Sequence, residues 1–362
     1  MQNFWENLPK PFFALAPMAD VTDPVFRKIV AKYSRHGEEG GGPDVFWTEF
    51  VSCDGLMTGG RDALMRDLAF TQGEKPIVAQ LFTSKPENMK KAAALCAELG
   101  FDGIDINMGC PDRSICKQLC GAEMINHPQI AKEVIRAAKE GAPGLPISVK
   151  TRIGYNKPDI DGWIKFLLEQ DIAVLSIHVR TKKELSKVPA NWEYMKKIVK
   201  LRDSMGLKTL LVGNGDVHSI RDGIQKAKES GCDGVMIGRA VFGNPWLFDK
   251  KRSILKEGRY MPKIVGKILP RRWVKKIEGD SRYTISEVSV REKLEVLKEH
   301  TSLFEKELGD IKNFAIMKKH FKAYINGFEG AKELRVRLMS EATDSMSLSQ
   351  IIDEFLKDRK VS

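Results

Sequence analysis

The chain is 362 residues long, 42% hydrophobic and 30% charged, with a formal net charge of +11. That hydrophobic share supports a large core and excludes a disordered chain, and no apolar run approaches the length of a membrane span. The opening MQNFWENLPKPFF lacks the basic-then-apolar pattern of a secretion signal, and the six cysteines include no CxxC pair, so a cytoplasmic protein with reduced thiols is expected.

Up to about residue 250, short apolar runs alternate with amphipathic stretches. The runs predict strands at Phe12–Met18, Val45–Phe50, Ile77–Phe82, Gly103–Asn107, Ile147–Arg152, Val174–Arg180, Thr209–Gly213 and Gly234–Gly238. Helical patterns lie between them, among them Pro86–Leu99, Pro128–Lys139, Asp161–Glu169, Trp192–Met205 and Ser219–Glu229. Eight strands alternating with helices predict an α/β fold, a (β/α)8 TIM barrel spanning 1–250. An open doubly wound sheet would need a Gly-rich first turn, and the turn here reads Ala16-Pro17-Met18-Ala19-Asp20. The Gly-rich stretch from His36 to Pro43 reads as a tolerated insertion on the face away from the strand C-termini.

Beyond Trp246 the rhythm changes. Residues 251–287 read as a connector, and 251–276 carry ten Lys and Arg against Glu257 alone. From Val288 a small helical bundle is predicted over 288–362, with helices at Arg291–Glu307, Ile311–Asn326, Ala331–Ala342 and Leu348–Lys357, punctuated by Gly309, Gly327 and Gly330. Residues 251–362 hold 25 Lys and Arg against 17 Asp and Glu, so +8 of the +11 lies in the last third. Such an excess beside a catalytic domain points to a polyanionic partner.

Barrel chemistry is carried at strand C-termini. Those ends present Pro17, Met18 and Ala19, then Glu49, Gln80, Asn107 and Cys110, then Lys150 and Arg152, then His178 and Arg180. The last two strands end in Gly213-Asn214-Gly215-Asp216 and Gly238-Arg239. Two Gly-bearing loops at adjacent ends suit either a phosphate cradle or tight turns. Lys150 ends an apolar strand, so it needs an anionic or electron-rich partner such as the N1–C2=O edge of a flavin. Gln80 can donate and accept, as a pyrimidine-like ring edge demands. Only Glu49 offers a carboxylate base at the strand ends, which disfavours a sugar-phosphate isomerase.

Cys110 follows Asp105-Ile106-Asn107-Met108-Gly109 and has three possible roles: core thiol, nucleophile or proton donor. A thiol with a pKa near ~8.5 is mostly protonated at neutral pH and can serve as a general acid. The sequence nearby offers no base to make it a nucleophile. The spacing of Cys110, Cys116 and Cys120 matches no standard zinc pattern, and no metal is expected.

In these residues the chain resembles the tRNA-dihydrouridine synthases. The resemblance runs through Ala16-Pro17-Met18-Ala19, Ala79-Gln80-Leu81, Asn107-Met108-Gly109-Cys110-Pro111, Val149-Lys150-Thr151-Arg152, His178-Val179-Arg180-Thr181, Gly213-Asn214-Gly215-Asp216 and Ile237-Gly238-Arg239. It continues through Met317-Lys318-Lys319-His320 and Gly330-Ala331-Lys332-Glu333-Leu334-Arg335. It implies a barrel holding FMN, NADPH as reductant, a helical tRNA-binding domain, and hydride transfer to uracil C6 with protonation at C5 by Cys110. It further implies that Pro17, Met18, Ala19, Gln80, Lys150 and His178 hold the isoalloxazine. Asn214, Gly215, Asp216, Gly238 and Arg239 would hold the ribityl phosphate end, and Asn107, Arg152 and Arg180 would orient the uracil. Val179 stands where the family commonly has glycine.

A tRNA partner agrees with the charge map. Arg271, Arg272, Lys275 and Lys276 can meet phosphates, and Trp273 among them either stacks on an exposed base or anchors the connector. Lys318, Lys319, Lys322, Lys332, Arg335 and Arg337 recur along two helices, as an RNA-facing or a solvated face. A monomer and no membrane association are expected.

Overall fold

The computed structural model describes residues 3–255 and 288–358, so the expected contacts of Arg271, Arg272, Trp273, Lys275 and Lys276 lie outside the described residues. By internal contacts the chain divides into two units, Met1–Pro24 with Pro43–Gly238, and Val25–Gly42 with Arg239–Ser362.

The first unit is a (β/α)8 barrel. Its strands are β1 (Phe12–Leu15), β2 (Phe46–Ser52), β3 (Ile77–Phe82), β4 (Gly103–Met108), β5 (Ile147–Arg152), β6 (Val174–His178), β7 (Leu210–Asn214) and β8 (Gly234–Ile237). They pair in parallel in the order β1-β8-β7-β6-β5-β4-β3-β2. The ring closes where Ala14 bridges Val45 and the Leu15 N–H donates to the Val45 carbonyl at 3.2 Å. β1 stops short of the predicted Met18 because a turn captures the chain there. The Met18 N–H donates to Thr22 Oγ1 at 2.9 Å, and the Thr22 N–H returns to the Met18 carbonyl at 3.0 Å.

Alternation along the strands sorts the barrel interior into two layers. Phe12, Trp47, Val78, Val174, Val212 and Met236 form the buried apolar layer, each side chain contributing roughly 1.5–3 kcal/mol by leaving water. Two residues further along three of those strands stand Gln80, Ser176 and Asn214. The registers Gln80↔Asp105, Asp105↔Ser148, Asn107↔Lys150, Lys150↔Ser176 and Arg152↔His178 put the polar residues on the same inner face. The polar layer therefore sits toward the strand C-termini.

Outside the strands, helices Pro86–Glu98, Pro128–Gly141, Glu193–Ser204 and Ile220–Ser230 follow the predicted amphipathic patterns. The predicted Asp161–Glu169 helix is split into a π turn, Ile160–Ile164, and an α turn, Lys165–Leu168. The Asp159 carboxylate caps that entry by accepting from the N–H groups of Gly162 and Trp163.

The second unit is helical, with helices Val290–Leu308, Lys318–Tyr324, Ala331–Glu341 and Ser345–Asp358. Val25, Ile29 and Trp246 share its core with Leu297, Phe304, Phe321, Leu338 and Ile352. The helix predicted from Ile311 begins later. Asn313 accepts from the Ala315 N–H at 2.8 Å and starts a 3-10 turn, Phe314–Met317, ahead of it. Near the middle of this core, His300, His320 and Tyr324 are fully buried. The imidazole rings lie edge-on, 4.8 Å apart at 70°, with Phe26 5.7 and 5.5 Å from them and Phe242 stacked on His320. Their ring nitrogens and the Tyr324 hydroxyl make no hydrogen bond among the described residues. Burial holds His300 down at about 3 and His320 well below the ordinary histidine value.

Candidate active site at the strand ends

The polar layer converges on the loop after β4. Asn107, next to last in that strand, faces inward, and its Oδ1 accepts from the N–H groups of Gly109 at 3.1 Å and Cys110 at 3.0 Å. This turn lifts Cys110 off the strand end, half-buried. The Cys110 carbonyl accepts from the Ala122 N–H at 2.9 Å, fixing the other side of the loop. Burial pushes the thiol pKa up, with a smaller opposing pull from Lys150, so Cys110 is protonated at neutral pH and equipped to give a proton.

Lys150 stands beside it in the barrel. Burial and the neighbouring Arg152 push its pKa down to about 8, while Asp105 opposes that shift. No hydrogen bond or ion pair engages its ammonium among the described residues, although part of the side chain remains accessible. An ammonium so placed suits an electron-rich ligand edge. Gln80 is fully buried; its Nε2 donates to Asp105 at 2.6 Å and its Oε1 accepts from Asn107 Nδ2 at 3.0 Å. One amide hydrogen and one lone pair of Gln80 remain for a ring edge.

The two arginines are more tightly held than the sequence suggests. Arg152 donates from Nε to the Gly109 carbonyl at 2.9 Å and from Nη1 to the carbonyls of Thr181 and Leu185 at 3.1 and 3.0 Å. It thus ties the Cys110 loop to the loop after β6, and only Nη2 is left over. Arg180 donates from Nε to the Val188 carbonyl at 2.7 Å, meets His178 Nε2 at 3.0 Å and forms a close ion pair with Asp216. The Asp216 carboxylate also accepts from the Ala190 N–H at 2.9 Å. His178, Arg180 and Asp216 are therefore one cluster that joins the loops after β6 and β7.

The remaining predicted residues line the neighbouring strand ends. Asn214 Nδ2 donates to the Met236 carbonyl at 2.8 Å. Gly215 has φ +125°, and a Cβ there would lie 2.9 Å from Ala190 Cβ and 3.0 Å from His178 Cδ2, so only glycine fits. A Cβ on Gly238 would meet Met18 Sδ at 3.4 Å and Ala16 Cβ at 3.5 Å, placing Met18 directly over this glycine. Pro17 and Ala19 flank Met18 in the β1 turn. Arg239 opens a 3-10 turn, Arg239–Val241, and belongs by contacts to the helical unit.

Two features escaped sequence reasoning. Asp105 is wholly buried at the centre of the polar layer, where burial raises its pKa to about 6 against hydrogen bonds from Ser148 and Gln80. Three mouth loops also meet through Tyr155, whose hydroxyl donates to Glu123 at 2.7 Å and accepts from Lys182 at 3.0 Å. An acid inside an apolar run was the available signal for the first; residues 27 to 32 apart gave none for the second.

On the helical unit, Lys318, Lys319, Lys322, Lys332 and Arg335 line a groove of about 710 Å³ that has no acidic residue in its wall. Val336 and Met339, 61% and 48% exposed, supply an apolar floor. Arg337 is not part of it; its guanidinium pairs with Glu354 at 2.8 Å and Glu341 at 3.5 Å.

A (β/α)8 barrel that gathers a thiol, an ammonium and Gly-bearing loops at its strand C-termini has the architecture of a barrel enzyme. The chain belongs to the dihydrouridine synthase family, whose model matches residues 14–359. It is 41% identical over 358 residues to a probable tRNA-dihydrouridine synthase of Staphylococcus aureus, covering 98% of this chain and 96% of that protein. It is equally 41% identical over 362 residues to the probable tRNA-dihydrouridine synthase 2 of Bacillus subtilis, covering 98% and 97%.

Proposed function

We propose that this protein reduces a uridine of tRNA to 5,6-dihydrouridine, using FMN held at the barrel mouth and NADPH as reductant. The observation that carries this reading is the pairing of a protonated, loop-clamped Cys110 with an unengaged Lys150 ammonium at the same strand ends. The residues present fit FMN. Lys150, Gln80 and His178, with Pro17, Met18 and Ala19, would hold the isoalloxazine; Asn214, Gly215, Asp216, Gly238 and Arg239 would hold the ribityl phosphate end. When bound and reduced, FMN would supply hydride for uracil C6.

The chain's own groups do the rest. Cys110 Sγ gives its proton to C5, and its raised pKa keeps that proton available at neutral pH. Asn107 offers its second amide hydrogen to the uracil and Arg152 offers Nη2, the nitrogen its loop contacts leave over. Arg180, fixed by Asp216 and His178, shapes the wall against which the base is oriented. A uracil within folded tRNA must leave its stack to reach a barrel mouth, and phosphate contacts supply much of the affinity. The basic groove of the helical unit provides such contacts on residues 288–362, and the basic connector 251–287 adds others. The protein acts as a cytoplasmic monomer.

The test is nucleoside analysis of an unmodified tRNA after incubation with the protein and NADPH. One dihydrouridine per tRNA in place of one uridine is expected; unchanged uridine with a flavin-loaded protein would overturn the reading.

A further inference from the structure

The hydrogen bonds beneath Cys110 run in one direction. Asp105 Oδ1 accepts from Ser148 Oγ at 2.6 Å, and Oδ2 accepts from Gln80 Nε2 at 2.6 Å. Gln80 Oε1 accepts from Asn107 Nδ2 at 3.0 Å, and Asn107 Oδ1 accepts from the Gly109 and Cys110 N–H groups. Asp105 and Gln80 are fully buried and Asn107 is 6% exposed, so water does not compete for these bonds.

An amide side chain is nearly symmetric in shape, and its hydrogen-bond partners decide which end is oxygen. A carboxylate cannot donate. With Asp105 at the start, Gln80 must present Nε2 to it, Oε1 then faces Asn107, and Asn107 must present Nδ2 to Gln80. That leaves the Asn107 oxygen, and only the oxygen, for the two backbone N–H groups. Reversing any amide would set two donors or two acceptors against each other in a dry layer.

We infer that Asp105 is a positioning residue, whose acceptor oxygen sets the polarity of a chain through Gln80 and Asn107 and so fixes the loop that carries Cys110. The inference rests on the role of Cys110 as proton donor. The feature that matters is the acceptor at Oδ2 and not the charge. Ser148 lies 3.3 Å from the Ile104 carbonyl as well as 2.6 Å from Asp105, so its hydroxyl can turn and accept from whatever occupies Oδ1. Protonation of Asp105 on Oδ1 leaves the chain intact for the same reason.

Amide hydrogen exchange of the full-length protein, followed by mass spectrometry on peptides covering Gly109 and Cys110, reads the chain directly. Asp105→Asn, turning its oxygen to Gln80 and its NH2 to Ser148, should keep wild-type protection. Asp105→Leu, with no acceptor, should speed exchange of these two amides about tenfold while β1 and β8 stay protected. Turnover of tRNA should fall only in the second variant, with KM for tRNA unchanged. Unchanged exchange in Asp105→Leu would overturn the inference, as would equal acceleration in both variants, because charge and not acceptor direction would then matter. If Asp105→Leu does not fold, Gln80→Met breaks the chain one link later and must give the same local signature. Exchange needs no tRNA, so a wild-type protein that made no dihydrouridine would defeat the proposed function and leave the exchange result standing.

Discussion

The buried histidines of the helical unit make its stability acid-sensitive. His300 is held neutral, with its pKa pushed from 6.5 to about 3 by burial, and His320 is lowered in the same direction by burial and by His300 beside it. A native pKa below the unfolded value means that acid favours the unfolded chain, which binds the proton the native state refuses. The stability is fully present above pH 6.5 and is lost progressively as pH falls toward the native value. Each pH unit is worth about 1.4 kcal/mol once only the unfolded chain binds the proton, so lowering the pH from about 7.5 to about 5 removes about 2 kcal/mol through His300 alone. His320 adds to that loss. Local unfolding of helix Val290–Leu308 should therefore rise about 30-fold or more over this range, read by hydrogen exchange corrected for intrinsic rates. The variant His300→Leu, close in volume and without the two unpartnered nitrogens, should be at least as stable at neutral pH and show a visibly flatter pH dependence. An identical pH dependence in wild type and variant would refute the assignment of the acid loss to this ring.

Further outcomes follow from the strand-end site and from the basic groove of the helical unit. Cys110→Ala should retain the flavin and lose about 10²- to 10⁴-fold in turnover, measured by dihydrouridine formed per minute; wild-type turnover would remove Cys110 from the mechanism. Lys150→Met should weaken FMN binding by about 10- to 100-fold in a titration of apoprotein. In the wild type that binding should weaken as pH rises through about 8, where the ammonium is lost. Lys322→Glu with Lys332→Glu should weaken tRNA binding and flatten its salt slope by roughly two units, whereas Arg337→Gln, already paired with two glutamates, should change affinity less than about twofold.

The barrel was legible because its strands are apolar runs bounded by Gly and Pro. The limits of β3 and β5 coincide with the predicted Ile77–Phe82 and Ile147–Arg152. The short helices Cys53–Leu56 and Arg61–Asp67 were not, since four to seven residues carry too little periodicity to read. Lys150 could be singled out from the sequence because a cation at the end of an apolar strand needs an explanation. The hold of Asp216 on Arg180 could not, since a separation of 36 residues leaves no local pattern. His300 lies among Leu297, Thr301, Phe304 and Leu308 on the buried face of its helix. Its pairing with His320 required the tertiary structure.

On the proposed function, a reduced flavin in this barrel delivers its electrons to a uridine in tRNA. Protein reduced anaerobically with NADPH, then mixed with unmodified tRNA while flavin absorbance is followed, tests it in one step. Rapid reoxidation with tRNA, and none with free uridine, is predicted. A flavin that stays reduced with tRNA but is reoxidised by a free pyrimidine would contradict the account and make the protein a small-molecule reductase.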